Sequence, residues 1–345
     1  MKKKLLWIVL LTALLTGLTW AVCADTALQD ASAQPVLTAA KATKKPKTTA
    51  TPKPTATPRA TATPFPTVYE RKGIATFVNG LKNHKALDLF SYAEDAQLAE
   101  IWFPLITDAD CTLIKCGDET LMIDCGTSSD YQSVVELLNA AGVDTVDRLL
   151  ITHPHHDHLG SFKAMANAGL VKEVLVCHDQ RENQYMSNLY TVASECGIKV
   201  TQLKSGQTLT LGRMDIELWM LQDTSATLNE RSAVLKLTYG RFAAIFMADI
   251  EEYAMKELVS VKGAEWLSCD LLRYPHHGAS SMPAQMSSCM APKLTVVTAG
   301  RTPDRAGKTC AKTISRYTAF TDSHIIQLTT DGKNMVARYV TEYVD

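Results

Sequence analysis

The chain has 345 residues, of which 46% are hydrophobic and 21% are charged. This balance is that of a globular protein that buries a real core, and it excludes a fold that depends on disulfides. The net charge of −1 conceals an asymmetry, because nine of the 35 basic residues but only two of the 36 acidic residues precede position 70. The remainder carries about −8, which argues against sequence-blind binding to a polyanion through a basic face.

Residues 1–24 predict a targeting segment. Met1–Lys4 is basic, Leu5–Val22 is apolar and uncharged, and the small residues Cys23 and Ala24 precede a cleavage point before Asp25. The apolar run of about 18 residues also fits an uncleaved membrane anchor. Both alternatives place the remainder of the protein outside the cytoplasm, either secreted or anchored, with membrane contact only through this segment.

Residues 25–67 predict a disordered linker. Threonine, proline, alanine and lysine dominate it, as in the run TTATPKPTATPRATATP at residues 48–64. Repeated proline prevents helix formation, and the run at residues 48–64 contains no bulky apolar side chain that could build a core. The linker is therefore expected to be an extended, semi-stiff spacer. Residues 68–345 have globular character and predict a single catalytic domain.

Helices and strands are mixed in this domain. Apolar and alternating runs predict strands at 100–103, 111–116, 120–124, 147–152, 173–177, 199–203, 208–211, 215–221, 232–239, 242–247, 271–274, 294–298, 325–329 and 334–340. Amphipathic patterns predict helices at 130–141, 161–168, 184–196 and 251–259. The several hairpins predict an α/β (α+β) fold with two mixed sheets covered by helices, rather than a doubly wound parallel sheet.

Cysteine usage leaves the redox state open. Eight of the nine cysteines follow Cys23, and an even number in an exported protein permits disulfides. Their positions in apolar, strand-like segments fit buried free thiols equally well, and we favour that alternative. No CxxC pair occurs, which argues against a cysteine zinc site.

Four of the nine histidines fall within six positions: His153, His155, His156 and His158, with Asp157 between the last two. Packing rarely requires such a density of histidine, whereas imidazole and carboxylate bind zinc, manganese and iron. A structural zinc site usually contains cysteine, and none is near. The pattern therefore predicts an open catalytic site for one or two divalent metals, with zinc favoured and manganese and iron as alternatives. A histidine-rich surface loop is the other interpretation.

The histidine cluster and three other motifs in the chain resemble elements of one protein family. THPHHDHLG at residues 152–160 resembles the HxHxDH signature of the metallo-β-lactamase superfamily. LMIDCG at 121–126, FMAD at 246–249 and YPHHGAS at 274–280 resemble three further elements of that superfamily, and the resemblance covers residues 98–300. It implies an αββα sandwich and a metal-dependent hydrolase, in which metal lowers the pKa of bound water so that hydroxide becomes the nucleophile.

The resemblance also implies a ligand set. It assigns one metal to His153 and His155, the other to Asp157 and His158, and a bridging position to Asp249. Asp157 and Asp249 are thereby the expected catalytic residues. Many members of the superfamily have a histidine before the bridging aspartate, but no histidine lies between positions 178 and 276 here. One metal position is therefore expected to lack a protein ligand.

Four further residues receive expected roles. His276 is the expected last ligand and His277 is expected to lie behind it or to face the substrate, although the sequence does not order this pair. Asp124 is expected to orient a ligand histidine. Asn229 and Ser232 are candidates for hydrogen bonds to substrate oxygens; alternatively, Asn229 shapes a turn and Ser232 begins a strand.

A narrower resemblance concerns the substrate. NERSAVL at residues 229–235, followed by Asp249 and PHHGAS, is similar to the lactamase-like domain of the ComEC family of DNA-uptake (competence) proteins. DCTLI at 110–114 resembles the GQGDAILI strand of that family, but its glycines are absent. The resemblance implies a phosphodiesterase or nuclease with nucleic acid as substrate. A hydrolase of small extracellular esters, lactones or β-lactams, and a non-catalytic binding domain with a degraded metal site, are the alternatives.

Overall fold

A computed structural model describes the backbone of Ala75–Val78 and all of residues 97–340. The predicted targeting segment at 1–24 and the predicted linker at 25–67 lie outside the described residues. The predicted catalytic domain at 68–345 is described in these two parts. Across them, no helix combines the length and the apolar character needed to cross a membrane.

The described residues form sixteen strands and seven α-helices. The strands are β1 (Ala75–Val78), β2 (Ala99–Phe103), β3 (Cys111–Cys116), β4 (Glu119–Cys125), β5 (Val146–Ile151), β6 (Val171–Val176), β7 (Lys199–Gln202), β8 (Thr208–Leu211), β9 (Met214–Trp219), β10 (Val234–Tyr239), β11 (Phe242–Phe246), β12 (Leu271–Arg273), β13 (Leu294–Val297), β14 (Tyr317–Phe320), β15 (Ile325–Thr330) and β16 (Met335–Val340). The helices are α1 (Tyr131–Ala140), α2 (His156–Leu159), α3 (Phe162–Asn167), α4 (Gln184–Glu195), α5 (Glu252–Leu267), α6 (Ala284–Met290) and α7 (Ala306–Ile314).

The strands form two mixed sheets. The first sheet has the order β1–β16–β15–β2–β3–β4–β5–β6–β7, in which β4 to β7 run parallel to one another. The second sheet has the order β14–β13–β12–β11–β10–β9–β8, in which β11 to β14 are parallel and β8 to β11 pair antiparallel. Each sheet thus has a parallel block whose strands end at a common edge.

The two sheets pack face to face, because successive side chains of each strand point to opposite faces. In β4, Leu121 and Ile123 enter the core between the sheets, whereas Met122 enters the core under α1, α3 and α4. In β11, Phe246 faces the first sheet, whereas Ile245 packs under α5 and α6. The layers are therefore helix, sheet, sheet and helix, and the predicted fold class is confirmed.

Five described elements were not predicted, and one predicted helix was too short. The sequence did not indicate β1, α2, α6, α7 or β14, and the helix predicted to end at residue 259 continues as α5 to Leu267. Gly263 has φ 74° and ψ 175°, so α5 is two helical pieces joined at this glycine. A positive φ is accessible to glycine at little cost, which allows the second piece to follow the first without leaving the outer layer.

Candidate metal centre

The candidate site lies where the parallel blocks of both sheets end. Thr152 and the histidine loop follow β5, Asp249 follows β11, and the turn Pro275–Gly278 follows β12. Because the carboxyl ends of parallel strands share one edge, residues more than 120 positions apart in the chain come together there. Two sheets that end at the same place therefore enclose the site from both sides.

Asp124 fixes the histidine loop against the first sheet. Its carboxylate accepts hydrogen bonds from the backbone N–H of Thr152 (2.8 Å) and from the Thr152 hydroxyl (2.7 Å). The same carboxylate lies 2.8 Å from Nδ1 of His158. The ring of His158 is thereby held with Nε2 facing the other side chains of the site. This contact is the one expected of a residue that orients a ligand histidine.

Gly160 allows the loop to be this compact. Its N–H donates to the carbonyl oxygens of Gly126 and His156, both at 2.8 Å. A Cβ at position 160 would lie 2.5 Å from the backbone nitrogen of Ser128 and 2.6 Å from the His156 oxygen. Real Cβ atoms do not approach so closely, so any other residue would push α2 away from the end of β4.

Four side chains converge tightly: Asp157, His158, Asp249 and His277. One potential ligand atom from each lies within 4.8 Å of the others. Nε2 of His158 is 3.2 Å from Oδ2 of Asp249 and 3.6 Å from Oδ2 of Asp157. Nε2 of His277 is 3.2 Å from Oδ2 of Asp157 and 3.5 Å from Oδ2 of Asp249. We call this set the tight cluster.

Three more histidines lie near the tight cluster: His153 and His276 approach Asp249, and His155 lies against His153. Nε2 of His153 lies 3.1 Å from Nδ1 of His155 and 3.9 Å from Oδ2 of Asp249. Nε2 of His276 lies 3.8 Å from the same oxygen, and its Nδ1 lies 3.0 Å from Oε1 of Glu251. Oδ2 of Asp249 therefore lies within 4 Å of Nε2 of all four histidines, His153, His158, His276 and His277.

The order of His276 and His277 is the point that the sequence left open. The structure places both at the site, but only His277 belongs to the tight cluster. His277 is 4% exposed, whereas the side chain of His276 is 25% exposed. Both residues have positive φ, 47° and 48°, which turns two consecutive side chains toward one centre. The spacing of adjacent histidines carries no signal for such a turn.

The two polar residues before β10 also reach the site. Nδ2 of Asn229 lies 3.5 Å from Nε2 of His276, and its buried Oδ1 has no hydrogen-bond partner. The hydroxyl of Ser232 accepts a hydrogen bond of 3.1 Å from the backbone N–H of Asp249. Ser232 thus contacts the backbone of Asp249, and Asn229 lies beside His276.

His178, the last histidine before His276 in the sequence, follows the end of β6. Its Nδ1 is 3.9 Å from Oε2 of Glu182, and its buried Nε2 has no hydrogen-bond partner. Burial, together with the charge of Arg231, lowers the pKa of His178 to about 4, so the ring is neutral. Within the part of the chain that is described, His178 is not among the side chains whose potential metal-binding atoms lie within 4.8 Å of one another.

Backbone conformations that are rare outside glycine concentrate at this site. Positive φ angles occur at Asp124 (56°), Ala248 (45°), His276 and His277, each one a site residue or its neighbour. Such conformations cost about 1–3 kcal/mol each and persist where the surrounding structure enforces them. Both packed sheets are therefore holding the site in a defined shape.

A buried layer lies behind the tight cluster that the sequence did not predict. Arg273 at the end of β12 forms an ion pair with Asp110, and its Nη1 donates to the Ala248 carbonyl. Nη2 of Arg273 also donates to the Thr298 hydroxyl at 2.9 Å. Asp110 was noticed only as part of a motif, and nothing near Arg273 or Thr298 in the sequence indicates a role. Their proximity arises solely from the packing of the two sheets.

The buried carboxylates and histidines of the site shift one another's pKa values. Burial alone raises the pKa of Asp249, but His158 and His277 overcome this and hold it well below its usual range. Burial alone lowers the pKa of His158, but Asp249 and Asp124 raise it well above its usual range. Burial also lowers the pKa of His277, and the opposing effect of Asp249 and Asp157 raises it to about 9. Without metal, protons therefore balance the carboxylates.

We expect metal-free protein to lose stability as the pH rises from about 6.5 to 9. The pKa of His277 is near 6.5 when unfolded and about 9 when folded, so its contribution is complete below 6.5 and lost as pH passes 9. The loss is about 3 kcal/mol for this residue. Urea unfolding of chelator-treated protein across this range measures it. The His277→Asn variant is the control, and a wild-type profile that falls no more steeply with pH than that of this variant would contradict the prediction.

Comparison with known proteins agrees with the site. Residues 107–182 match the family model of the metallo-beta-lactamase superfamily, and this segment contains the whole histidine loop. The resemblance predicted from the motifs is therefore confirmed over this segment.

Two curated relatives align with about half of the chain, and one of them is named a competence protein. ComE operon protein 3 of Bacillus subtilis is 24% identical over 172 residues, which are 49% of this chain and 22% of that protein. Competence protein ComA of Neisseria gonorrhoeae is 26% identical over 191 residues, 54% of this chain and 25% of that protein. The aligned regions span about a quarter of these relatives. The metallo-beta-lactamase fold protein YhfI of Bacillus subtilis superposes with a TM-score of 0.47 at 12% identity, over 66% of this chain and 99% of that one.

Proposed function

We propose that this protein is a metal-dependent phosphodiesterase that acts on nucleic acid outside the cytoplasm. The observation that carries the proposal is the convergence of imidazole and carboxylate atoms around Oδ2 of Asp249. The histidine loop and the PHHG turn come from different sheets, so their convergence is a property of the whole fold. A non-catalytic domain would have no need to keep all of these groups in place.

The residues of the tight cluster fit a divalent metal. A tetrahedral zinc with ligand distances of about 2.0–2.1 Å places its ligand atoms roughly 3.3 Å apart. The four contacts between imidazole and carboxylate atoms in the tight cluster measure 3.2–3.6 Å. Nε2 of His158 and Oδ1 of Asp249 are buried without a hydrogen-bond partner, which is costly unless a cation satisfies them. The donor set suits zinc, with manganese and iron as alternatives.

The proposed ligands fall into two groups that share Asp249. Asp157, His158, Asp249 and His277 would hold one metal, and His153, His155 and Asp249 would hold the other, with His276 at its border. A divalent metal there would lower the pKa of a coordinated water and neutralise charge on the scissile group. Asp124 orients His158, Ser232 holds the backbone of Asp249, and Asn229 faces the substrate side of His276. Asp157, whose side chain is 32% exposed, reaches the open face.

The substrate class rests on the similarity to ComE operon protein 3 and to competence protein ComA, together with the resemblance of residues 229–235 to the ComEC family. Against it stands the acidic balance of about −8 after position 70, which favours a small or neutral substrate. A hydrolase of small extracellular esters, lactones or β-lactams is therefore the second candidate. Charge on bound metal would offset part of the acidic balance locally.

The test is hydrolysis by the purified full chain. We expect turnover of bis(p-nitrophenyl) phosphate, its loss on treatment with chelator, and its return when zinc or manganese is added. A chromogenic cephalosporin assayed in parallel separates the two candidates. Metal content of the untreated protein is measured first, and we expect one to two equivalents.

The matched control is His156→Gln. His156 lies within the histidine loop, but its Nε2 is 3.1 Å from the hydroxyl of Ser128 and it is not part of the tight cluster. This variant should retain metal and turnover, whereas His158→Gln should lose both. Hydrolysis of the cephalosporin alone would favour the second candidate. Metal-free protein without turnover of either substrate would overturn the hydrolase proposal.

A further inference from the structure

Two cysteines lie opposite each other where β3 pairs with β4. Cys111 begins β3 and Cys125 ends β4, and the two residues are register partners in this antiparallel pair. The register shifts between Cys111 and Thr112, which leaves Asp124 as the extra residue of a β-bulge. Asp124 has a positive φ of 56°, which bends β4 at this point. The bulge therefore brings Cys125, rather than Asp124, opposite Cys111.

A backbone hydrogen bond beside the two cysteines indicates how closely the strands approach. The N–H of Gly126 donates to the carbonyl oxygen of Asp110 at 2.7 Å. This bond joins the residue after Cys125 to the residue before Cys111, which is the pattern around a non-hydrogen-bonded pair in an antiparallel ladder. The Cα atoms of such a pair are about 4.5 Å apart, and a disulfide requires a Cα–Cα distance of about 4.4–6.8 Å. The backbone at this point has the spacing of a disulfide.

Both cysteine side chains also point to the same side of the first sheet. Cys111 and Cys125 lie in the core under α1, α3 and α4, and both are 0% exposed. Cys116, at the other end of β3, instead enters the core between the sheets, and its register partners are Ala99 and Glu119. In the described strands, Cys111 and Cys125 are thus the two cysteines that face each other across a ladder.

We propose that Cys111 and Cys125 form a disulfide when the protein folds in the presence of a disulfide oxidant. Two S–H bonds break and one S–S bond forms, while two electrons and two protons pass to the oxidant, whose own disulfide becomes two thiols. Both residues are free thiols in this structure, which is the reduced form of the pair. The proposal goes beyond the proposed function and does not depend on bound metal.

Burial determines when this disulfide forms. Burial raises the pKa of the Cys111 thiol well above its usual range, and it also raises the pKa of the Cys125 thiol. Thiol–disulfide exchange requires a thiolate that the oxidant can reach, and the completed fold provides neither. The reaction therefore precedes the packing of the helices over β3 and β4, and the folded protein keeps the redox state that it acquired while folding.

The cross-link would join two strand ends that support the candidate metal centre. Asp110 precedes Cys111 and forms the ion pair with Arg273. Asp124 precedes Cys125, and its carboxylate lies 2.8 Å from Nδ1 of His158. A covalent bond between the neighbouring residues would hold the backbone that carries both carboxylates.

The test is synthesis of the full chain under two redox conditions. Cell-free translation is carried out with a mixture of reduced and oxidised glutathione, or with dithiothreitol, and the soluble protein is denatured, alkylated, digested and analysed by mass spectrometry. We expect a peptide pair cross-linked through Cys111 and Cys125 in the first sample, and alkylation of both residues in the second. The urea midpoint of the first sample should be higher by about 1 M, because the disulfide closes a loop of about 15 residues in the unfolded chain.

Two matched variants each remove one buried cysteine from β3. Cys111→Ala should abolish the cross-link and the difference in urea midpoint between the two conditions, whereas Cys116→Ala should retain both. The comparison of the two wild-type samples needs no variant, so it decides the question even if Cys111→Ala does not fold. Alkylation of both Cys111 and Cys125 in the wild type made with glutathione would overturn the proposal. A cross-link from either residue to a different cysteine would also overturn it.

Discussion

Asp249→Asn is expected to abolish hydrolysis and the binding of at least one metal. Oδ2 of Asp249 lies 3.2–3.9 Å from Nε2 of His153, His158, His276 and His277, so a single carboxylate serves both groups of histidines. The amide keeps the size of the side chain but removes its charge. We expect kcat/KM to fall about 10²- to 10³-fold, the scale for losing one preorganised electrostatic group. Metal analysis and phosphodiester turnover measure the two effects.

The matched control for this variant is Asp270→Asn. Asp270 is buried like Asp249, but it precedes β12 and lies at the opposite end of that strand, where it pairs with Lys293 at 3.0 Å and accepts the Ala243 N–H at 2.9 Å. This variant should lose stability and keep both the metal and the turnover of each folded molecule. If Asp249→Asn kept its full complement of metal, this result would contradict the proposal that the Asp249 carboxylate is a metal ligand.

The strands of both sheets were predictable because burial leaves a plain signal. β3 and β8 were predicted at the residues where they occur, and most other strands within one or two residues. Long apolar or alternating runs of this kind are set by the need to fill the core between the sheets and the cores under the helices. The two mixed sheets and the helical layers could therefore be predicted from the sequence.

The elements that were missed have little local signal of their own. α7 has nine residues, and its apolar face consists mostly of small side chains, with Ala311 buried and Cys310 and Ile314 partly buried. α6 has seven residues, and β14 has four of which two are half-buried. Elements of this length gain their stability from the second sheet against which they pack, rather than from their own sequence.

The residues of the site also differ in how far the sequence could predict them. The histidine loop was evident because its residues are contiguous, and Asp249 and the PHHG turn because they belong to recognisable motifs. The order of His276 and His277 depends on two positive φ angles, which adjacent identical residues do not predict. Asp110 and Thr298 are 188 positions apart and meet across the two sheets at 2.7 Å. No local spacing connects them, so only the three-dimensional structure identifies the layer behind the metal ligands.

Arg273→Met is expected to destabilise the protein by about 3–5 kcal/mol. Arg273 is 2% exposed, forms an ion pair with Asp110, and lies with its Nη1 3.7 Å from Oδ1 of Asp249. Its removal leaves the buried Asp110 carboxylate without its ion-pair partner, with only the more distant rings of His158 and His277 at 3.8 Å, and a broken buried pair is far more costly than the loss of the pair as a whole. Urea unfolding of the metal-free and the zinc-loaded protein measures the change in the free energy of unfolding.

The double variant Asp110→Asn/Arg273→Met tests this reason, because removing both charges should restore a substantial part of the stability that Arg273→Met loses. Arg301→Met is the exposed counterpart. Arg301 pairs with Asp322 at 2.7 Å, but its side chain is 59% exposed, so its loss should cost no more than about 1 kcal/mol. An Arg273→Met protein as stable as Arg301→Met would mean that water reaches Asp110. This result would contradict the prediction.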